Sequence, residues 1–574
     1  MDEELATQLL KAASCGQMMV WLTTPERAEE EWSRAINSLA QLHRERRVDV
    51  LEHLQRSAEG SKFHIDHVLW SRVYRDLIPL IDDEALRVAS AVVCLSSGFW
   101  APVVHDAFLD WCARDRERID AVLELEPRPE IPDFCFAAAL IAGLRIDPTS
   151  YFDAAVEFAQ GNRRSRMPGI RAMAAMSIDE DFIVQRALSV LGSIAEDVHA
   201  PPRDRADALD GAVELAQRCG GPLDGRTSAM VQSAIMDRQG ELLHTCCLLI
   251  VRFGAKLRDG LLASLLEALR CLVIDSDAAR SSLDMALYSL LTTGRRNEAL
   301  SCLETLLRNS TADNPLEALG STTHQLATAT ADLLPTVICQ WLLTGERALC
   351  AAARHLLIST GNQKLAFDFD AGNAGWPDSR TIYLARKAIG WLMPHSTAPT
   401  SFIVCLLRNA SRAAGIELGN LLFDPLLVNY PLSARTYLET VCPHLPATPR
   451  SRVEEVLSRD DRYKQAIEKV GFVPELQPTE RHRWIEAQRR AEEWDRARSA
   501  AEGKSVFAQM FSRQTLLYGT RAIDYVDDPG GGTRRLDNRL RTIRHTADNV
   551  MGWVYDPCGL DFVLWFFRAE RKLE

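Results

Sequence analysis

The chain has 574 residues, with 66 Lys and Arg against 78 Asp and Glu and a formal net charge of -12. That length exceeds what one compact core accommodates, while 47% hydrophobic and 25% charged residues supply core material and exclude extensive disorder. A net negative surface repels polyphosphates and acidic membranes, so any nucleic-acid contact needs a local basic patch.

The acidic start Met1-Asp2-Glu3-Glu4-Leu5 lacks the basic region and apolar core of a secretory signal. Apolar runs such as Leu248 to Val251 are far shorter than the roughly 20 residues that cross a bilayer. A cytoplasmic location without a membrane span is therefore expected. The basic residues are overwhelmingly Arg, a bias of GC-rich coding that points to a bacterium.

Residues 1–130 read as an N-terminal helical region. Leu39, Leu42 and the charged run Arg44 to Arg47 share one amphipathic pattern, and Pro25-Glu26 suits a first helical turn. Three prolines between Glu126 and Pro132 break the helical pattern there.

Residues 131–475 carry the clearest signal. Leu262, Leu265, Leu266 and Leu269 form a stripe that a neighbouring helix must cover. Leu283, Leu287, Leu290 and Leu291 make a second face, Gly294 follows as a helix stop, and Leu300, Leu303, Leu306 and Leu307 make a third, which together predict a helical hairpin. Leu342-Leu343-Thr344-Gly345 opens a similar unit ending near Ile358, and comparable hairpins are expected around Ala172–Ala195, Ala206–Gln217, Ile382–Met393 and Phe402–Arg412. The period is irregular, about 35 to 50 residues. On these stripes the chain resembles the HEAT and armadillo-like α-solenoids, in architecture rather than in consensus positions. An irregular all-helical globule is the alternative.

From 476 to 513 opposite charges alternate at helical spacing, as in Glu480-Arg481-His482-Arg483-Trp484, which reads as a charged connecting helix. Residues 514–574 read as a small C-terminal α+β domain. Its strand candidates are Leu516-Leu517-Tyr518, Ala522 to Val526 and Val550 to Tyr555, followed by the aromatic run Leu560 to Phe567, which needs a core of its own or of the solenoid. The predicted fold class is thus mostly α, an irregular α-solenoid of stacked helical hairpins with that small terminal domain.

Motifs that carry chemistry are sparse. Fourteen cysteines, among them Cys94, Cys135, Cys271, Cys339, Cys405 and the pair Cys246-Cys247, sit in apolar helical contexts without C-x-x-C spacing, so they read as reduced structural thiols. His64 and His67 supply two metal ligands at most, and the glycines at 530 to 532 lack the lysine and helix of a phosphate loop. Asp556, Asp561 and the triplet Glu570-Arg571-Lys572 loosely resemble the acidic and lysine positions of metal-dependent nucleases, but the triplet closes an apparent helix where a nuclease needs a strand. Arg534, Arg535, Arg539, Arg541 and Arg544 form the strongest local charge, able to grip an acidic partner or nucleic acid, or to sit in an exposed loop paired with the protein's own acidic surface.

No catalytic, cofactor-binding or metal residue is nominated, and no cofactor is expected. The expected function is a non-enzymatic scaffold or adaptor that binds another protein through an extended helical-repeat surface, within a bacterial multi-protein system of the defence type. Two alternatives stay open: a nucleic-acid-associated protein using the arginine-rich segment, and a hydrolase or nuclease whose site is assembled across the fold.

Overall fold

A computed structural model describes the chain except for residues 1–2, 23–28, 54–65, 82–83, 96–100, 126–129, 162–164, 177–180, 220–222, 238–239, 273–276, 313, 329–332, 362–364, 370–375, 396, 472, 474–478, 503–510, 517–520, 528–532, 540–549, 553–555 and 572–574. It is predominantly helical and divides into two compact units, Met1–Ala329 and Thr330–Glu574. No single helix among the described residues is long and apolar enough to cross a membrane.

The first unit is a two-layer stack. Asp66–Leu77, Ala101–Cys112, Asp133–Ile146, Met167–Ala175, Pro202–Cys219, Gly240–Phe253, Asp277–Thr292 and Gly320–Thr328 each pack on the next and make one layer. Pro148–Ala159, Asp181–Glu196, Leu223–Asp237, Asp259–Arg270 and Arg296–Asn309 make the other, alternating with the first along the chain. Helix starts at 101, 133, 167, 202, 240 and 277 give a repeat of 32 to 38 residues, shorter than expected because the connections are brief.

The leucine stripes explain the stacking. Leu262, Leu265, Leu266 and Leu269 are all buried, as are Leu283, Leu287, Leu290, Leu291, Leu303, Leu306 and Leu307. Each helix hides one apolar face against its hairpin partner and the flanks against the next repeat. Gly294 turns the chain between Asp277–Thr292 and Arg296–Asn309 with φ +87°, a conformation a side chain resists. Starts are capped locally: Asp115 accepts from the Glu117 N–H at 3.0 Å and Asp147 from the Ser150 N–H at 3.3 Å, with Pro148 in the first turn.

Two of the expected hairpins are single helices. Ala206–Gln217 lies inside Pro202–Cys219, and Ile382–Leu392 lies inside Asp378–Leu392, with Met393 as its C-cap. A helix covered on two sides carries a wide apolar arc, and that arc mimics two faces in sequence.

In the second unit Leu333–Thr344, Asp378–Leu392, Arg412–Leu421 and Ala447–Val470 pack in succession, with Arg347–Ser359, Thr397–Leu407 and Ser433–Val441 as their partners. Helix Glu480–Glu502 follows, and every side chain described on it is exposed. Strands β1 (Phe511–Leu516), β2 (Arg521–Asp527) and β3 (Thr533–Arg539) form an antiparallel meander in that order.

A separate α+β domain at 514–574 is not supported. The last helix, Pro557–Ala569, packs on Asp378–Leu392 of the helical stack, burying Leu560, Leu564 and Phe567 at helical spacing. The expected strand at 550–555 is also absent where described: Met551 and Gly552 are helical, and the Gly552 N–H donates to Asn429 Oδ1 at 2.6 Å. Residues 553–555 lie outside the described residues. β-favouring side chains there meet a helical neighbour instead of a strand.

Candidate functional site: an acidic groove

The first unit's continuous helix layer carries an open groove of about 540 Å³. Five successive helices line it. Ala101–Cys112 brings His105 and Asp106, Asp133–Ile146 brings Ile141, and Met167–Ala175 brings Ile170, Arg171, Ala174 and Ala175. Pro202–Cys219 brings Asp207, Asp210, Gly211 and Glu214, and Gly240–Phe253 brings Arg252.

The floor is low because its residues are small. A Cβ at Gly211 would stand 3.3 Å from Ala174 Cβ and 3.4 Å from Ile170 Cγ2, so that glycine lets two helices approach and leaves the space above them open. Ile141, Ile170 and Ala174 are buried and give the floor an apolar surface.

The walls are charged unevenly, with four carboxylates, Asp106, Asp207, Asp210 and Glu214, against the guanidinium groups of Arg171 and Arg252. Arg252 Nη1 bridges Asp210 at 3.1 Å and Glu214 at 3.4 Å, and Arg218 Nη2 holds the other Glu214 oxygen at 2.5 Å. His105 Nδ1 lies 3.3 Å from Asp106 Oδ1. Burial raises the Asp207 carboxyl above the usual aspartate value, opposed by Arg171 and Arg203 and reinforced by Asp210 and Asp204. Chemically the groove offers an apolar bed flanked by excess negative charge, which suits a long aliphatic side chain ending in a cation.

None of the residues nominated from sequence lies in this groove. Arg534, Arg535 and Arg539 fall on β3, not in a loop, with Arg535 exposed, whereas Arg541 and Arg544 lie outside the described residues. The register pairs Arg535 with Tyr525, Arg539 with Arg521 and Arg534 with Val526.

The other constellations separate. His67 lies in the first turn of the Asp66–Leu77 helix and His64 lies outside the described residues, as do the glycines at 530 to 532 and Lys572. Asp556 caps the last helix by accepting from the Gly559 N–H at 3.0 Å, Glu570 pairs with Arg386 at 2.9 Å, and Asp561 is exposed. Among the described residues no group of three or more His, Cys, Asp or Glu could hold a metal ion.

All fourteen cysteines are free thiols. Cys112, Cys246, Cys302 and Cys350 are buried, and that burial pushes each of them up to about 12, so they stay protonated and inert at neutral pH. Cys15, Cys94, Cys219 and Cys558 are exposed, and Cys271 is half-buried.

The groove left one trace in the sequence. Asp207, Asp210 and Glu214 recur three and four residues apart, an acidic stripe along one helix, but nothing local says that its neighbours are Ile141 and Arg252.

No protein-family model and no curated protein matches the chain. Among solved structures the chain is similar to one described as "Homology model of the full-length AP-3 complex in an intermediate open conformation", at 10% identity over 78% of this chain and 93% of that one. The TM-score is 0.20, and a likeness that low carries no argument.

Proposed function

We propose that this chain is a cytoplasmic protein-binding scaffold and that the acidic groove of its first unit takes a cationic segment of a partner protein. One observation carries the reading: five consecutive helices of a single layer together present four carboxylates against two guanidinium groups above an apolar floor. Stacked helical repeats build extended surfaces of this kind from successive repeats, each adding a few side chains. A Lys or Arg of the partner would lay its stem on Ile141, Ile170 and Ala174 and bring its cation beside Asp207.

The test compares the full chain with Asp207→Lys/Asp210→Lys, immobilised and exposed to extract of the native host. The wild type should retain a stoichiometric partner, and the variant should bind it at least about tenfold more weakly, or ~1.4 kcal/mol. Circular dichroism checks that the variant still folds. Equal retention by both overturns the groove reading, and truncation after about residue 500 should remove only part of the binding.

A second reading has its own support. Arg521 and Arg539 are register partners in the β2–β3 pair, and Arg534 and Arg535 lie on the same strand as Arg539. If that sheet binds nucleic acid, polarisation titrations should show salt-sensitive binding that disappears when Arg534, Arg535, Arg539, Arg541 and Arg544 become Ala.

A further inference from the structure

Helix Glu480–Glu502 is 23 residues long, about 34 Å at 1.5 Å per residue, and all of its described side chains are exposed. Its start is built: Thr479 Oγ1 accepts from the His482 N–H at 3.3 Å, and Arg489 pairs with Glu493 one turn on at 3.7 Å. Two tryptophans lie in the open, Trp484 at 65% and Trp494 at 73% exposure, with Ile485 at 45% beside the first. Trp484, Ala487, Ala491 and Trp494 are spaced three, four and three residues apart, which puts them in one narrow stripe. Most helical stability in proteins comes from packing one face against a neighbour, and large exposed apolar faces mark interaction surfaces.

The charge pattern says what covers the stripe. From 480 to 490 the helix has Arg481, Arg483, Arg489 and Arg490 against Glu480 and Glu486; from 491 to 502 it has Glu492, Glu493, Asp495 and Glu502 against Arg496 and Arg498. The first half is net basic and the second net acidic by the same amount. Such a helix complements a second copy of itself running in the opposite direction. A two-fold axis at Arg489 brings Trp484 of one copy level with Trp494 of the other, and Ala487 level with Ala491, where small side chains let the backbones approach.

One competing cover lies on the same chain. Tyr463, Ile467 and Val470 leave an exposed apolar stripe at the end of the Ala447–Val470 helix. Folding back would set Lys464 and Lys469, with Glu468 the one acid between them, beside the basic half of Glu480–Glu502, so the two lysines would meet like charge.

We infer that the Glu480–Glu502 helix is a self-association element that pairs antiparallel with a second copy of the chain through Trp484, Ala487, Ala491 and Trp494. The result is a dimer that presents two copies of each binding surface. This goes beyond the scaffold reading and does not depend on it.

Light scattering of the eluting full chain, from about 1 to 100 μM, reads the outcome. The wild type should run as a dimer of the 64.1 kDa chain, and Trp484→Ser/Trp494→Ser as a monomer with the same thermal midpoint for the rest of the fold. Arg481→Glu/Arg483→Glu and Glu492→Arg/Glu493→Arg should each weaken the dimer at least tenfold, and mixing the two should restore it as a mixed dimer. A wild type that stays monomeric overturns the inference, and so does a dimer that ignores the tryptophan and charge changes. A monomer whose midpoint drops when Trp484 and Trp494 are replaced would assign the stripe to Tyr463, Ile467 and Val470 of the same chain, which also overturns it.

Discussion

At Gly169 the absence of one carbon decides a helix crossing. A Cβ there would collide with the Ala155 carbonyl oxygen and stand 2.5 Å from the Ala159 nitrogen, so Met167–Ala175 and Pro148–Ala159 touch backbone to backbone. Backbone cannot rotate out of the way as a side-chain tip can. Gly169→Ala should therefore destabilise the first unit by about 1–3 kcal/mol, read as a lower urea midpoint at unchanged native helix content. His395 in the second unit shows the same sensitivity through charge. Burial, reinforced by Arg354, holds its imidazole below the ordinary 6.5, and its Nδ1 is buried without a hydrogen-bond partner. Above pH 6.5 folded and unfolded chains both keep it neutral; below that the unfolded chain takes the proton first, so stability falls until the depressed folded value is passed. His395→Gln should flatten that loss in urea midpoints measured between about pH 7 and 5.

At the scale of elements, the ends of helices do much of the joining. Asp284 accepts from the Ser321 and Thr322 N–H groups at 2.9 and 2.8 Å, placing a carboxylate at the positive end of Gly320–Thr328 and tying it to Asp277–Thr292. The last helix is tied at its opposite end. Lys387, fully buried, donates to the Arg568 carbonyl at 2.6 Å, and Arg568 returns its Nε to the Gly390 carbonyl at 2.5 Å. An ammonium at a helix C-terminus is favourable, and it offsets the desolvation that pulls Lys387 below its usual 10.5. Lys387→Met keeps the stem but leaves the Arg568 carbonyl without a donor, a loss of about 1–3 kcal/mol. Amide exchange should then accelerate in Pro557–Ala569 and leave the first unit untouched. The aromatic run 560–567 demanded cover, yet only the contact with Gly390, where a Cβ would meet Phe567 Cβ at 3.2 Å, names Asp378–Leu392 as the cover.

For the whole molecule, the helical repeat matters because it gathers into one groove side chains that are far apart in sequence. Asp106 and Arg252 are separated by more than a hundred residues and share its walls. Partner binding there should weaken with added salt, since the charges are partly exposed and screened over about 8–10 Å. It should also weaken on acidification, starting at a higher pH than an ordinary aspartate allows, because burial raises the Asp207 carboxyl and its protonation removes a negative charge from the groove. Asp207→Asn should remove most of that pH dependence in a titration of the recovered partner, while Asp106→Asn should leave the early onset in place.

Local periodicity was enough to find the helices: Leu262 to Leu269, and Leu283 to Leu291 with Gly294 behind it, mark faces and stops within one or two turns, and a leucine stripe has no other way to leave water. Pro202–Cys219 and Asp378–Leu392 each read as two helices in sequence, and Met551 and Gly552 as strand, because width of burial and choice of neighbour are not local quantities. The arginine-rich segment was visible as charge, but its place on β3 opposite Arg521 came from strand register. Tertiary packing alone decided the groove. Its carboxylates are ordinary surface residues on each helix taken singly, and only the stacking of five helices concentrates them over an apolar floor.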